Sequence, residues 1–200
     1  FEGGAVATIL ANNLLNRGGL IATRSLGPTR GGLADQFGQR IIDSRLTVKN
    51  YTAKKEYNGT PLYGYYEVDG EGVTPEAEMT LVDKGVFGKM LNGRIPTKNA
   101  LETTGSSRFM MIPQSPTVAT GTGTIHVQVD KGISHEKMKK ALIKAAKEAG
   151  QSCAYIVRGI SGATLEVYRV DLKDGRETRV RATSFRLPDL TKLLKLVAIS

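Results

Sequence analysis

Few side chains in this sequence stand at spacings that chemistry requires. His135-Glu136 opens like the H-E-x-x-H of a zinc-protease helix, in which two imidazoles four residues apart share one metal. Here Lys139 stands where the second histidine belongs, and Lys140 follows it. Ammonium groups repel a divalent cation, so His135 reads as a surface residue at a helix start. The other histidine, His126, is alone in an alternating, strand-like run and reads as a structural imidazole. Cys153 heads an apolar run with no histidine nearby to serve as its base, and reads as a small buried hydrophobe. A lone cysteine also excludes an internal disulfide and a multi-cysteine zinc site. The Thr120–Thr124 run TGTGT looks like a phosphate loop but lacks the Lys-Ser/Thr and the helix that complete one. Tyr63, Tyr65 and Tyr66 are the spacing of a base-stacking platform, yet no basic residue is interleaved with them, which favours a half-buried strand. The best polar cluster is Thr104-Gly105-Ser106-Ser107-Arg108. Its small residues permit close backbone approach, and Arg108 is suited to clamp a carboxylate; a plain turn is the alternative.

Elements that would position these groups follow from periodicity. Ala5–Asn16 has apolar residues at helical spacing and is stopped by Gly18-Gly19. Arg24–Gly38 reads as an ordered, glycine-rich loop, and Thr52–Pro61 as a charged loop. Arg40–Val48 and Leu62–Val68 read as strands. Met79–Val82 and Val86–Leu91 flank Asp83-Lys84-Gly85, the punctuation of a hairpin whose turn needs positive φ. An exposed edge of that hairpin would suit a peptide-binding cleft. From Phe109 to Val129 prolines and Gly/Thr alternation predict loop or edge strand. Ser134–Ala149 is the clearest helix, with Ser134 as N-cap, an apolar stripe, and Gly150 to end it. Strands at Cys153–Val157, Leu165–Leu172 and Glu177–Ala182 and a short amphipathic helix at Asp189–Ile199 follow. The expected fold is therefore α+β: a mostly antiparallel, barrel-like β core with an N-terminal helix and a C-terminal helix-strand-strand-strand-helix portion. Two domains are expected, a core over 1–130 and a basic α/β extension over 131–200 packed on it.

Charge supports that division. The chain has 200 residues and a formal charge of +9, and residues 131–200 hold 15 of its 28 basic groups against 7 of its 19 acidic ones. Such a segment can bind nucleic acid or an acidic partner, but a lysine-rich solvated helix face accounts for it more simply. Hydrophobic content of 40% and charged content of 24% are those of a soluble globular chain. No apolar run approaches the roughly 20 residues that span a bilayer, so no membrane partner is expected. Phe1-Glu2-Gly3 reads as a cut into a longer protein.

Several weak motifs occur in one order: Phe37-Gly38-Gln39-Arg40-Ile41, Leu46-Thr47-Val48, Asp69-Gly70-Glu71-Gly72-Val73, Leu81–Val86 with Leu91, and Thr104–Arg108. Together, over residues 1–115, they resemble the C-terminal domain of the TldD/PmbA (TldE) family, proteins known as modulators of DNA gyrase. Residues 134–200 resemble the extended tails of larger members, in which a Lys-rich helix precedes a strand like Tyr155-Ile156-Val157-Arg158. TldD-type members are zinc metallopeptidases that mature or degrade peptides and carry H-E-x-x-x-H just upstream of this region. Phe1–Val6 falls on that motif. The resemblance puts Glu2 at the general-base position, while Phe1 and Val6 replace both histidines, and neither can ligate zinc. It implies a catalytic position at Glu2, substrate binding at Thr104, Gly105 and Arg108, and no metal or cofactor in this chain, zinc entering only through ligands outside it. It further implies proteolysis-related work in the cytoplasm on a peptide substrate, as a homo- or heterodimer with a TldD/PmbA-family subunit. The family's non-catalytic partner subunit also lacks the zinc motif, so a non-catalytic or partner subunit is the leading expectation. The alternatives are part of an active metallopeptidase, and a basic nucleic-acid-binding module.

Overall fold

A computed structural model describes residues 1–15, 19–22, 33–112, 115–161, 164–181, 188–194, 196 and 198–199. In chain order its elements are α1 (Gly3–Leu14), a 3-10 turn (Leu33–Gln36), β1 (Leu46–Tyr51), β2 (Glu56–Tyr57), β3 (Thr60–Pro61), β4 (Glu78–Asp83) and β5 (Val86–Phe87). Then come β6 (Ser107–Ile112), β7 (Ser115–Thr120), β8 (Thr124–Val129), α2 (His135–Glu148), β9 (Cys153–Ser161), β10 (Thr164–Asp171), β11 (Glu177–Val180) and α3 (Leu190–Leu193). This is the expected α+β class. All strand pairings between named strands are antiparallel, and among the described residues no sheet closes into a barrel. Two compact units result: Leu14–Asp130, and Phe1–Asn13 together with Lys131–Ser200. No helix among the described residues is long and apolar enough to cross a membrane.

In the first unit β1 is central, paired to β4 on one side and β8 on the other, in a sheet of order β5-β4-β1-β8. Its alternation sends Leu46, Val48 and Asn50 inward, where Val48 meets Val82 and Val127. Met79, Leu81, Val82, Phe87, Leu91, Ile41 and Ile42 complete a core in which each is 1% exposed or less. The β4–β5 turn is the one predicted: Lys84 and Gly85 have φ of 44° and 82°, as a two-residue type I′ hairpin requires. Gly85 is fixed by packing as well, since a Cβ there would lie 2.4 Å from the Ile42 carbonyl oxygen. Both edges of this hairpin are occupied. β4 pairs β1, and the outer side of β5 bonds to residues 38–40, through Phe87 N–H to the Gln39 carbonyl and Gly38 N–H to the Phe87 carbonyl. The hairpin therefore offers no open edge to a peptide, contrary to expectation.

Other predicted elements shift for local reasons. The strand expected over Arg40–Val48 begins only at Leu46. The Asp43 carboxylate accepts the Arg45 N–H at 3.0 Å and its carbonyl accepts the Leu46 N–H, an Asx turn that breaks the extended run. Leu62–Val68 is not a strand. Its aromatics are used singly: Tyr63 is 96% exposed, the Tyr65 hydroxyl bonds Glu67, and the Tyr66 N–H donates to the Thr52 carbonyl. Within the loop expected at Thr52–Pro61, Asn58 and Gly59 at positive φ join the short β2–β3 hairpin. Val86–Leu91 is strand only over its first two residues. Phe109–Val129 supplies the β6–β7 hairpin and the edge strand β8. Most of the loop expected at Arg24–Gly38 lies outside the described residues, as do Gly18, at the expected stop of α1, and Pro113.

The second unit is a three-stranded sheet of order β11-β10-β9 with a helix against each face. Leu142, Ile143 and Ala146 of α2 pack on Ala154, Ile156, Val170 and Leu172. Ala5 of α1 packs with Val157 and Val167. The predicted caps of α2 are present: the Ser134 hydroxyl accepts the Lys137 N–H at 3.5 Å, and Gly150 follows at a φ of 66°. α3 is far shorter than the helix expected over Asp189–Ile199. Asp189 caps it, and the Ile199 carbonyl accepts the Ile133 N–H at 2.8 Å.

Candidate functional site

The loop Asp69–Val73 is folded around the Asp69 side chain. Its Oδ1 accepts the N–H groups of Glu71 and Val73, each at 2.9 Å, and its Oδ2 accepts the Ser107 N–H at 3.0 Å. Asp69 is 7% exposed, so this carboxylate works as a buried clamp between the loop and the first residue of β6. The Gly70 N–H donates to the Ser107 carbonyl at 2.6 Å and adds a second tie.

That clamp aims Glu71. Its Oε2 accepts the Ser107 hydroxyl at 2.5 Å and the Arg94 N–H at 2.9 Å. These two donors, the hydroxyl foremost, hold the Glu71 carboxyl below the usual carboxylate range. Beside it Asn92, 2% exposed, shares its backbone N–H and carbonyl with the Thr104 hydroxyl, and its amide donates to the carbonyls of Ala100 and Glu102. Gly93 leaves the space between them open: a Cβ there would lie 2.7 Å from Ser107 Oγ and 3.1 Å from Glu71 Oε2. The result is a cleft of about 350 Å³, bounded by Ile21, Ala22, Asn92, Gly93, Ile95 and the β6–β7 hairpin, with Glu71 and Ser107 in its wall. That volume is in the range of small-ligand pockets. A serine hydroxyl bonded to a carboxylate, with no imidazole or amine among the described lining residues to act as its base, suits binding rather than acyl transfer.

The residues singled out from sequence are placed differently. Thr104 bonds Asn92 and lies 2.9 Å from Ser106 Oγ, and the Gly105 carbonyl accepts the Tyr66 hydroxyl at 2.9 Å. Burial raises the Tyr66 phenol above its ordinary value. The Arg108 guanidinium lies 4.0 Å over the Tyr66 ring, a cation–π contact. Thr104, Gly105 and Arg108 thus stand outside the residues that line the cleft, and Glu71 and Ser107 are among those that do. Sequence reasoning passed over Asp69 and Glu71 as site residues, although the Asp-x-Glu spacing, with its Asx-turn geometry, was a usable local signal.

Glu2 is in the other unit. Its Oε2 accepts Arg158 Nε at 3.1 Å, its N–H donates to the Val157 carbonyl, and His135 Nε2 lies 3.8 Å from Oε1, a buried atom with no hydrogen-bond partner among the described residues. Arg158 in turn bonds Glu177 and lies 4.2 Å over Tyr168. Phe1 and Val6, on either side of Glu2, are 53% and 37% exposed. The residues at this position do not fit a zinc ion: the flanking side chains offer no donor, and the nearest cation is a guanidinium. Among the described residues no three His, Cys, Asp or Glu groups come together as ligands. Burial and the ammonium groups of Lys54 and Lys49 lower the His126 imidazole below its ordinary value; its ring lies 5.1 Å from Tyr57 and 5.6 Å from Tyr51. Cys153 is half-buried, and hydrogen bonds with Tyr155 and Arg169 pull its thiol below the ordinary range.

No family model matches the sequence, and no curated protein does. The fold is similar to that of TldE from Thermococcus kodakarensis, with a TM-score of 0.58 and 16% identity over 88% of this chain and 38% of that one. A Thermotoga maritima protein named as a candidate modulator of a DNA gyrase aligns with a TM-score of 0.49 and 13% identity, over 83% of this chain and 37% of its own. The chain therefore has the fold that its motifs led us to expect, that of TldE, and spans 38% of that protein's length.

Proposed function

We propose that this chain is a non-catalytic domain of the TldD/PmbA type, a scaffold or partner subunit that handles peptides in the cytoplasm beside a catalytic subunit. The observation that carries the reading is the state of Glu2. A general base in a zinc peptidase must reach a metal-bound water. Here the carboxylate that takes that place in the sequence motif is bound by Arg158 at 3.1 Å and flanked by Phe1 and Val6. The fold likeness to TldE supports the same reading, and the cleft at Glu71 supplies a place for a ligand that does not depend on metal chemistry. A dimer with a TldD/PmbA-family subunit would then bring the reaction centre.

The test is metal analysis with a peptide-cleavage assay on the full protein, alone and mixed with a TldD-type subunit. We expect no stoichiometric zinc and no cleavage by the protein alone. Stoichiometric zinc with metal-dependent cleavage would overturn the scaffold reading and favour ligands supplied from outside this chain. Light scattering of the mixture checks the partnership: two non-interacting species would exclude it.

A further inference from the structure

We infer that the Glu71 cleft binds the cationic group of a peptide, a lysine or arginine side chain or a free amino terminus, with the Glu71 carboxylate as its counter-charge. The inference rests on the peptide-handling reading above and adds the chemistry of the ligand. Three observations carry it. Among the described residues that line the cleft Glu71 is the one ionisable side chain, and the others are apolar (Ile21, Ile95, Val118) or neutral. The carboxylate is immobilised through Oε2 alone, by Ser107 Oγ and the Arg94 N–H, while Oε1 accepts from no described residue. A rigid carboxylate with one unused oxygen in a cleft is an acceptor for an ammonium or guanidinium group.

The third observation is the wall itself. Ile95 is 45% and Val118 40% exposed, and Phe109, the cross-strand partner of Val118, is 72% exposed. Gly70 keeps this surface level: a Cβ there would sit 3.4 Å from both the Phe109 ring and Val118 Cγ1. An apolar strip leading to one carboxylate matches a side chain made of a methylene stem and a charged head. The cleft volume of about 350 Å³ suits one such side chain with its backbone, not a folded partner. The charge of Arg94 also acts on Glu71, and among the described residues the two form no ion pair.

The experiment uses the full protein and fluorescent tetrapeptides whose third residue is lysine, arginine or norleucine, each with a free or an acetylated amino terminus. Norleucine keeps the stem and removes the charge. Binding is read by anisotropy for the natural protein, for Glu71→Gln, which keeps an acceptor for Ser107 and Arg94, and for Ile95→Lys, which sets a competing ammonium at the exposed rim. We expect the charged peptides to bind about tenfold or more tighter than the acetylated norleucine peptide. Both substitutions should abolish that preference while each variant still melts in one cooperative transition. An amino terminus that supplies the charge is read from affinity lost on acetylation, and a side chain that supplies it from affinity lost on replacing lysine by norleucine. Equal binding of all the peptides, the acetylated norleucine peptide included, or a preference for charge that survives Glu71→Gln, overturns the inference and leaves peptide handling standing. Failure of every peptide to bind overturns both.

Discussion

Asp69 is the point at which the cleft is most exposed to a single substitution. In Asp69→Ala three backbone N–H groups, of Glu71, Val73 and Ser107, lose a charged acceptor in a place where Asp69 is only 7% exposed to water. An unsatisfied buried donor costs about 1–3 kcal/mol. Two of the three lie in a surface loop that water can enter, so we take about 1 kcal/mol for each of these and about 2 for Ser107, giving about 4 kcal/mol. Asp69→Asn should cost about half as much, because Oδ1 keeps its two bonds while an amide NH₂ meets the Ser107 N–H. Urea unfolding of the full protein measures the difference through the midpoint at unchanged slope. Amide exchange at Glu71, Val73 and Ser107 shows where the loss falls, since these three should exchange fastest relative to the natural protein. A destabilisation below about 1 kcal/mol for Asp69→Ala, or unchanged exchange at Ser107, would show that the clamp does not hold the loop.

Two further predictions test the frame and the electrostatics. Gly85→Ala should destabilise by about 2–4 kcal/mol, from positive φ and a Cβ placed 2.4 Å from the Ile42 carbonyl oxygen; denaturant titration checks it, and a loss under 1 kcal/mol would refute the packing argument. Glu71 is held below its ordinary pKa, so its contribution to stability is complete above about pH 4.5 and is lost as pH falls through the depressed value. Thermal melts from pH 7 to 3 should therefore show a shallower acid decline for Glu71→Gln than for the natural protein, and parallel curves would contradict the assignment.

The parts of this structure that could be read from sequence are those specified within a few residues. The Lys84-Gly85 turn and the Ser134 cap are local solutions to local problems, positive φ in one and an orphan N–H in the other. Alternation was a poorer guide. Arg40–Val48 and Leu62–Val68 have the pattern of strands, but the Asp43 side chain captures the Arg45 N–H in the first. In the second, Tyr66 is drawn to Thr52 and Gly105. In both, side chain–backbone bonds compete with the ladder, and residue pattern does not record which wins.

The same limit explains the site. Arg108 attracted notice because a guanidinium beside small residues is suited to hold a carboxylate, yet its charge is spent on the Tyr66 ring. Glu71 passed without notice because its role depends on Ser107, Arg94 and the missing Cβ of Gly93, three positions brought together only by the fold. Charge type in the sequence therefore suggested an anion site, whereas charge placement in the structure yields a cation site. A carboxylate fixed through one oxygen needs no motion to accept a cation, and the ordering cost of binding is borne by the ligand alone. Selectivity in such a cleft should thus follow the charge of the ligand and the length of its stem, and little else.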